Sequence, residues 1–175
     1  MENNHRNKTN ARRAVCDEVL IAIRRIIQAI DLHSRDLVRQ FGLTGPQLIV
    51  LQEVSKIEEM AVGEIAKAIS LGQATVTGIL ERLETRGLIV RQRSKSDKRR
   101  VLVRVTPASK QLLKKAPPPM QEHFIQKLTN LQDWEQAMIL SSLQRIVAMM
   151  DAKQIDAAPI LTAGPIDKIK EDFTL

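Results

Sequence analysis

The chain has 175 residues, 43% hydrophobic and 27% charged, which fits one globular unit with a short appendage and excludes two full enzyme domains or wholesale disorder. Its longest uncharged runs, residues 40–52 and 68–80, are 13 residues each, short of the roughly 18 to 20 apolar residues of a membrane span. Net charge is +7, and three Phe, one Trp and no Tyr argue against holding single strands by stacking bases on rings.

A single cysteine, Cys16, excludes an intramolecular disulfide and a Cys-rich zinc site. The N-terminus carries Arg6, Lys8, Arg12 and Arg13 where a secretory signal has its apolar stretch, so a cytoplasmic location is expected. Residues 1–14 show no apolar period and read as a mobile basic arm. From Val15 the stripe Val19, Ile23, Ile26, Ile30 and Leu37 recurs at three- and four-residue steps and predicts a helix over 15–41, about 40 Å long. A helix of that length in so small a domain needs a partner surface. Gly42 supplies its stop, and Thr44 with Pro46 predicts an N-cap and first turn for the next helix.

A short helix is expected from Val62 to Ile69, a break at Ser70, Leu71 and Gly72, and a further helix from Gln73 to Arg86 with Val76, Ile79, Leu80 and Leu83 inward. Two short helices joined by a Gly-containing turn are the helix-turn-helix signature. The outward face of the second presents Gln73, Ala74, Thr75, Thr77 and Gly78, with Arg82 further along. Small side chains let a helix enter a major groove, and Gln and Thr reach base edges or phosphate oxygens.

Residues 88–93 and 100–105 have strand composition, joined by a polar tip, and predict a β-hairpin wing. Between Arg91 and Arg104 lie seven basic residues and one acid, so a local charge of +6 carries nearly the whole net charge. Such a focus is a footprint for polyanions, and equally the composition of a solvated face. Asp97 stands two residues before Arg99, close enough for its carboxylate to grip and orient the guanidinium, and an Arg at a hairpin tip suits a narrow minor groove.

The segments Leu43-Thr44-Gly45-Pro46-Gln47, Gly63-Glu64-Ile65-Ala66, Thr75-Val76-Thr77, the run from Leu80 to Ile89, Asp97-Lys98-Arg99-Arg100 and Val105-Thr106-Pro107 together resemble the MarR family of winged helix-turn-helix transcriptional regulators. The resemblance implies a mainly α fold with a small β-hairpin wing. It places a DNA-binding domain at 43–106, a dimerisation helix at 15–41 and further dimerisation helices at 107–151 that Pro117-Pro118-Pro119 interrupt. It also implies a homodimer whose two recognition helices and two wings face double-stranded DNA. An apolar stripe from Phe124 through Trp134 to Met150 is expected to pack largely on the partner's first helix, and residues 152–175 to form a poorly ordered tail.

In this reading Arg99 enters the minor groove, Gln73, Thr75, Thr77 and Arg82 serve the major groove, and Arg93, Lys95, Lys98 and Arg100 neutralise phosphates. His33 and Arg35 are candidates for an effector cleft, for a small organic or ionic effector. Residues 29–35 and 43–48 are similar to regulators of compatible-solute (ectoine) genes. Cys16 departs from the peroxide-sensing branch: no Tyr is present to hold a thiolate, and Asp17 and Glu18 disfavour one, so a structural thiol is expected. No metal spacing joins His5, His33 and His123, no cofactor motif is present, and no nucleophile, metal or phosphate-loop motif points to an enzyme. The expected function is a dimeric repressor reading a pseudo-palindromic operator; the alternative is a non-specific architectural double-stranded-DNA binder.

Overall fold

The computed structural model describes residues 2–94 and 97–163. The first helix, α1 (Glu2–Phe41), spans 40 residues and begins at Glu2, where a basic arm was expected up to residue 14. No Gly or Pro interrupts residues 2–14, and once a helix exists each added residue contributes one hydrogen bond, so the helix propagates backward without an apolar face to demand it. It ends as predicted at Gly42 (φ 63°), whose N–H donates to Val38 O at 2.8 Å.

Thr44 caps α2 (Gly45–Ser55): its hydroxyl accepts the Gln47 N–H, and the Gln47 side chain accepts the Thr44 N–H at 3.0 Å. The chain then forms β1 (Met60–Ala61), α3 (Val62–Ala68), α4 (Gln73–Thr85), β2 (Ile89–Arg93), β3 (Val101–Val105), α5 (Pro107–Lys115), α6 (Met120–Thr129) and α7 (Asp133–Met149). The left-handed residue of the turn between α3 and α4 is Ser70 (φ 54°). The sheet is antiparallel in the order β1-β3-β2, with Met60 opposite Val103 and Arg91 also opposite Val103 on its other side. β1 was not foreseen, since two residues carry no alternation to read.

The core is the winged-helix unit. Leu48, Leu51 and Val54 of α2 pack with Ile65 of α3, Leu80 and Leu83 of α4, and Val103 of β3. Burying an aliphatic side chain of this size contributes about 1.5 to 3 kcal/mol each. Thr106 closes the unit, donating its hydroxyl to Gly87 O at 3.0 Å while capping α5 through the Ser109 N–H at 3.3 Å. Across the fold, the Arg86 guanidinium at the end of α4 donates to Gly42 O at the end of α1.

Outside this core the helices are bare. α6 and α7 bury none of their residues, and on α1 Leu37 is the buried apolar residue while Val15, Val19, Ile26 and Ile27 are exposed. Where one long apolar stripe was expected to run from Phe124 to Met150, the chain breaks between Asn130 and Gln132 and starts α7 with the Gln132 N–H on the Glu135 carboxylate at 2.9 Å. Part of the tail makes contacts of its own. Residues 158–163 fold back onto the domain, with Ile160 packed against the core, and residues 164–175 lie outside the described residues.

Candidate nucleic-acid interface

α4 presents its first turns as predicted. Val76, Ile79 and Leu80 point into the core, which leaves Gln73 and Ala74 exposed and Thr75, Thr77 and Gly78 half-buried on the outer face. Thr77 donates its hydroxyl to Gln73 O at 2.9 Å, so the proton is held within the helix and its lone pairs face outward. A Cβ added at Gly78 would meet nothing within 4 Å, so the surface there is open. Arg82 sits half-buried one turn further on.

The wing is built by short-range hydrogen bonds. The Ser94 N–H donates to Arg100 O at 2.9 Å, the Arg100 N–H to Asp97 O at 2.9 Å, and the buried Ser94 hydroxyl accepts the Asp97 N–H at 3.3 Å. The Asp97 carboxylate accepts the backbone N–H of Arg99 at 3.0 Å. The expected grip on the Arg99 guanidinium is thereby corrected: an acid two residues upstream of an N–H closes an Asx-type turn, which shapes the tip and leaves the guanidinium exposed. Lys98 and Arg99 form the turn at the tip, Arg93 is exposed at the end of β2, and Lys95 lies outside the described residues.

Three of the seven basic residues counted in the wing are held by acids distant in sequence. Arg91 donates to Glu84 of α4 at 2.7 Å, Arg104 to Glu59 at 2.9 Å, and Arg100 to Glu64 at the start of α3. Glu64 also accepts the Ala61 N–H at 2.9 Å, half of a capping arrangement for α3. That backbone hydrogen bond, followed by Arg100 and Lys67, holds its carboxyl below the ordinary glutamate value of 4.5. The Arg91 hydrogen bond lowers Glu84 in the same way, and Glu59 raises Arg104.

α3, α4 and the wing enclose a cleft of about 470 Å³. Gln73 and Thr77 line it from α4, Glu64 and Lys67 from α3, and Arg99 and Arg100 from the wing. Sequence reading placed the α4 and wing members together and missed Glu64 and Lys67; the available signal was the acid three residues after Ala61, where a capping acid belongs. The candidate effector pair was expected elsewhere, between the long first helix and the domain that follows it, and lies on α1. Arg35 bonds Asp31 one turn earlier on α1 at 2.9 Å, His33 is half-buried on the same helix, and between them Ser34 accepts the N–H of Ala163 at 3.2 Å. Cys16, expected as a structural thiol, is exposed on α1. Among the described residues no cluster of His, Cys, Asp or Glu could hold a metal ion, and no helix is long and apolar enough to cross a membrane.

Residues 43–101 match the model of the MarR family. Over 90 residues, 47% of this chain and 61% of the relative, the sequence is 32% identical to the organic hydroperoxide resistance transcriptional regulator of Bacillus subtilis. Among solved structures, the fold is similar to that of BpsR from Bordetella bronchiseptica, whose DNA binding is regulated by 6-hydroxynicotinic acid, at 28% identity over 74% of this chain and 98% of that one with a TM-score of 0.50. It is also similar to S. aureus MepR in its DNA complex, at 21% identity over 74% and 96% of the two chains with a TM-score of 0.55.

Proposed function

We propose that the chain, whose residues 43–101 match the MarR family model, is a winged helix-turn-helix transcriptional regulator: a dimeric, sequence-specific repressor acting on double-stranded DNA in the cytoplasm. The observation that carries the reading is the cleft where the outer face of α4 meets the basic wing and Lys67. A recognition helix seated in a major groove sets Gln73, Thr75 and Thr77 at base edges and phosphates, with Arg82 behind them. The exposed Arg99, pre-shaped by the Asp97 turn, reaches the neighbouring minor groove, where narrow width concentrates negative potential. Arg93 and Lys98 neutralise backbone, and Lys95 joins them by its place in the sequence.

The second copy is supported by the uncovered apolar faces. Val15, Val19 and Ile26 on α1, Phe124 on α6 and Trp134 and Leu143 on α7 are all exposed in the single chain, and a soluble regulator covers such a surface by pairing. Two-fold pairing presents two α4 helices to half-sites about 10 to 10.5 bp apart, hence a pseudo-palindromic operator. A small organic or ionic effector would act by favouring one spacing of the two lobes, by its differential affinity for the two states. The resemblance of residues 29–35 and 43–48 to compatible-solute regulators makes osmotic-stress genes the first targets to examine.

The experiment is selection of bound duplexes from a random pool at fixed moderate salt, with mass by light scattering at micromolar concentration. Enrichment of a pseudo-palindrome by a dimer is the expected result. Strong retention with no enriched motif would replace this reading with the architectural one, for which the charge of the wing suffices.

A further inference from the structure

The chain leaves α7 through the left-handed residue Asp151 (φ 53°) and returns to a corner formed by α1, the first turn of α2 and α6. Three elements hold it there. The Leu161 N–H donates to the Gln121 side chain of α6 at 3.4 Å, and the Ala163 N–H donates to the Ser34 hydroxyl of α1 at 3.2 Å. Thr162 lies against the open Cα of Gly45, where an added Cβ would sit 3.6 Å from both the Thr162 Cβ and its hydroxyl. Between these contacts the Ile160 side chain packs on the core beneath.

We propose that residues 158–163 are a tethered ligand of this corner: a segment, turned at Pro159 by the Ile160 N–H on Ala158 O, that inserts one apolar side chain and donates two main-chain N–H groups to side-chain acceptors on different helices. The seat therefore recognises an apolar body flanked by N–H or O–H donors, and any molecule of that chemistry entering the corner competes with the strap. Resting on the reading above, α1 and α6 belong to the pairing region and α2 to the DNA-binding lobe. A seated strap joins the two and fixes their angle, whereas a lifted strap frees it.

Gly45 supplies a handle. Its φ is not left-handed, so a larger residue is permitted in that first helical turn; an Ala there makes ordinary contact with Thr162, and the two further methyls of a Val are expected to crowd it. The test is amide hydrogen exchange by NMR on the full chain without DNA. In the unaltered protein the Leu161 and Ala163 amides should exchange at least about 10-fold slower than in an unfolded chain, since a strap seated more than about nine-tenths of the time protects to that degree. Gly45→Val and Ile160→Asp should each abolish that protection while Leu48 and Leu51 of α2 stay protected. If either variant loses α2 protection as well, Ser34→Ala decides: selective acceleration of Ala163 supports the strap.

Coil-like exchange of Leu161 and Ala163 in the unaltered protein would overturn the proposal whatever the protein does with DNA. On the selected duplex, lifting the strap should then weaken binding by at least about 5-fold, the lower end of ordinary coupling between sites. Equal affinity of seated and lifted forms would overturn the angular coupling. Failure of the unaltered protein to bind any duplex would refute the proposed function and leave the strap standing on its exchange data.

Discussion

Glu64→Gln should strengthen DNA binding, although it removes a residue from the proposed interface. In the free protein the Glu64 carboxylate holds the Arg100 guanidinium with one oxygen and the Ala61 N–H with the other. A glutamine keeps a neutral acceptor for that N–H, so α3 retains its cap, while Arg100 is released toward the cleft. Each additional phosphate neutralised steepens the slope of log K against log salt by about 0.9. Measured from a reference of about 1 M salt, where this contribution vanishes, one extra contact is worth about 8-fold in affinity at about 0.1 M and about 4-fold at about 0.2 M. Fluorescence anisotropy on the selected duplex across a salt series reads both quantities, and thermal melting confirms the fold. Glu64→Ala is the control: it should share the steeper slope and melt lower, because the Ala61 N–H then loses its acceptor. Weaker binding by Glu64→Gln, or a gain that ignores salt, would refute the idea that Glu64 withholds Arg100 and would mean that the pair positions the wing.

Arg99→Ala should weaken binding to the selected duplex by about 5- to 150-fold and relax preference at one position, whereas Lys98→Ala should lower the salt slope by about one with preference intact, both read by anisotropy on matched and scrambled duplexes. Leu80→Ala, at a fully buried site between α2, α3 and the sheet, should cost about 2 to 5 kcal/mol in urea unfolding; a loss below that range would mean that the core can collapse around the gap. Trp134, the single Trp of the chain, is 65% exposed in one protomer, so its emission should shift to shorter wavelength as concentration drives pairing. A water-like emission at concentrations where light scattering gives a dimer would place α7 outside the interface. Acid should loosen the wing: folding lowers the Glu84 and Glu64 pKa values, so their contribution is complete above the unfolded value near 4.5 and is lost as pH falls through the lower folded values. The melting difference between the unaltered protein and Glu84→Gln should therefore shrink as pH drops below 4.5, and a difference that grows would reverse the assignment.

Local signals in the sequence were read with success. The Thr44 cap, the Gly42 stop and the inward face of α4 each depend on residues within a few positions of one another, where propensity and hydrogen bonding are decided. The misses arose where partners lie far apart along the chain. Arg91, Arg100 and Arg104 looked like free cations because Glu84, Glu64 and Glu59 stand 7, 36 and 45 residues away, and a running charge count pairs nothing across such distances. β1 exists because β3 offers it an edge, and Leu161 and Ala163 meet acceptors on α6 and α1 that no tail composition discloses. The Asp97 turn was misread for a simpler reason: a carboxylate and an arginine two apart admit two geometries, and the backbone N–H is the nearer donor.

The contact between Arg86 and the Gly42 carbonyl places a fulcrum under a long rod. α1 has 40 residues, about 60 Å at 1.5 Å per residue, and it ends where Gly42 turns the chain toward α2. A tilt of about 5° at that point displaces the far end of the rod by about 5 Å, on the order of one helical turn. The guanidinium that bears on the fulcrum belongs to Arg86, the C-cap of α4, so any tilt of the rod about Gly42 would bear on α4 through this contact, and any reseating of α4 would bear on the rod.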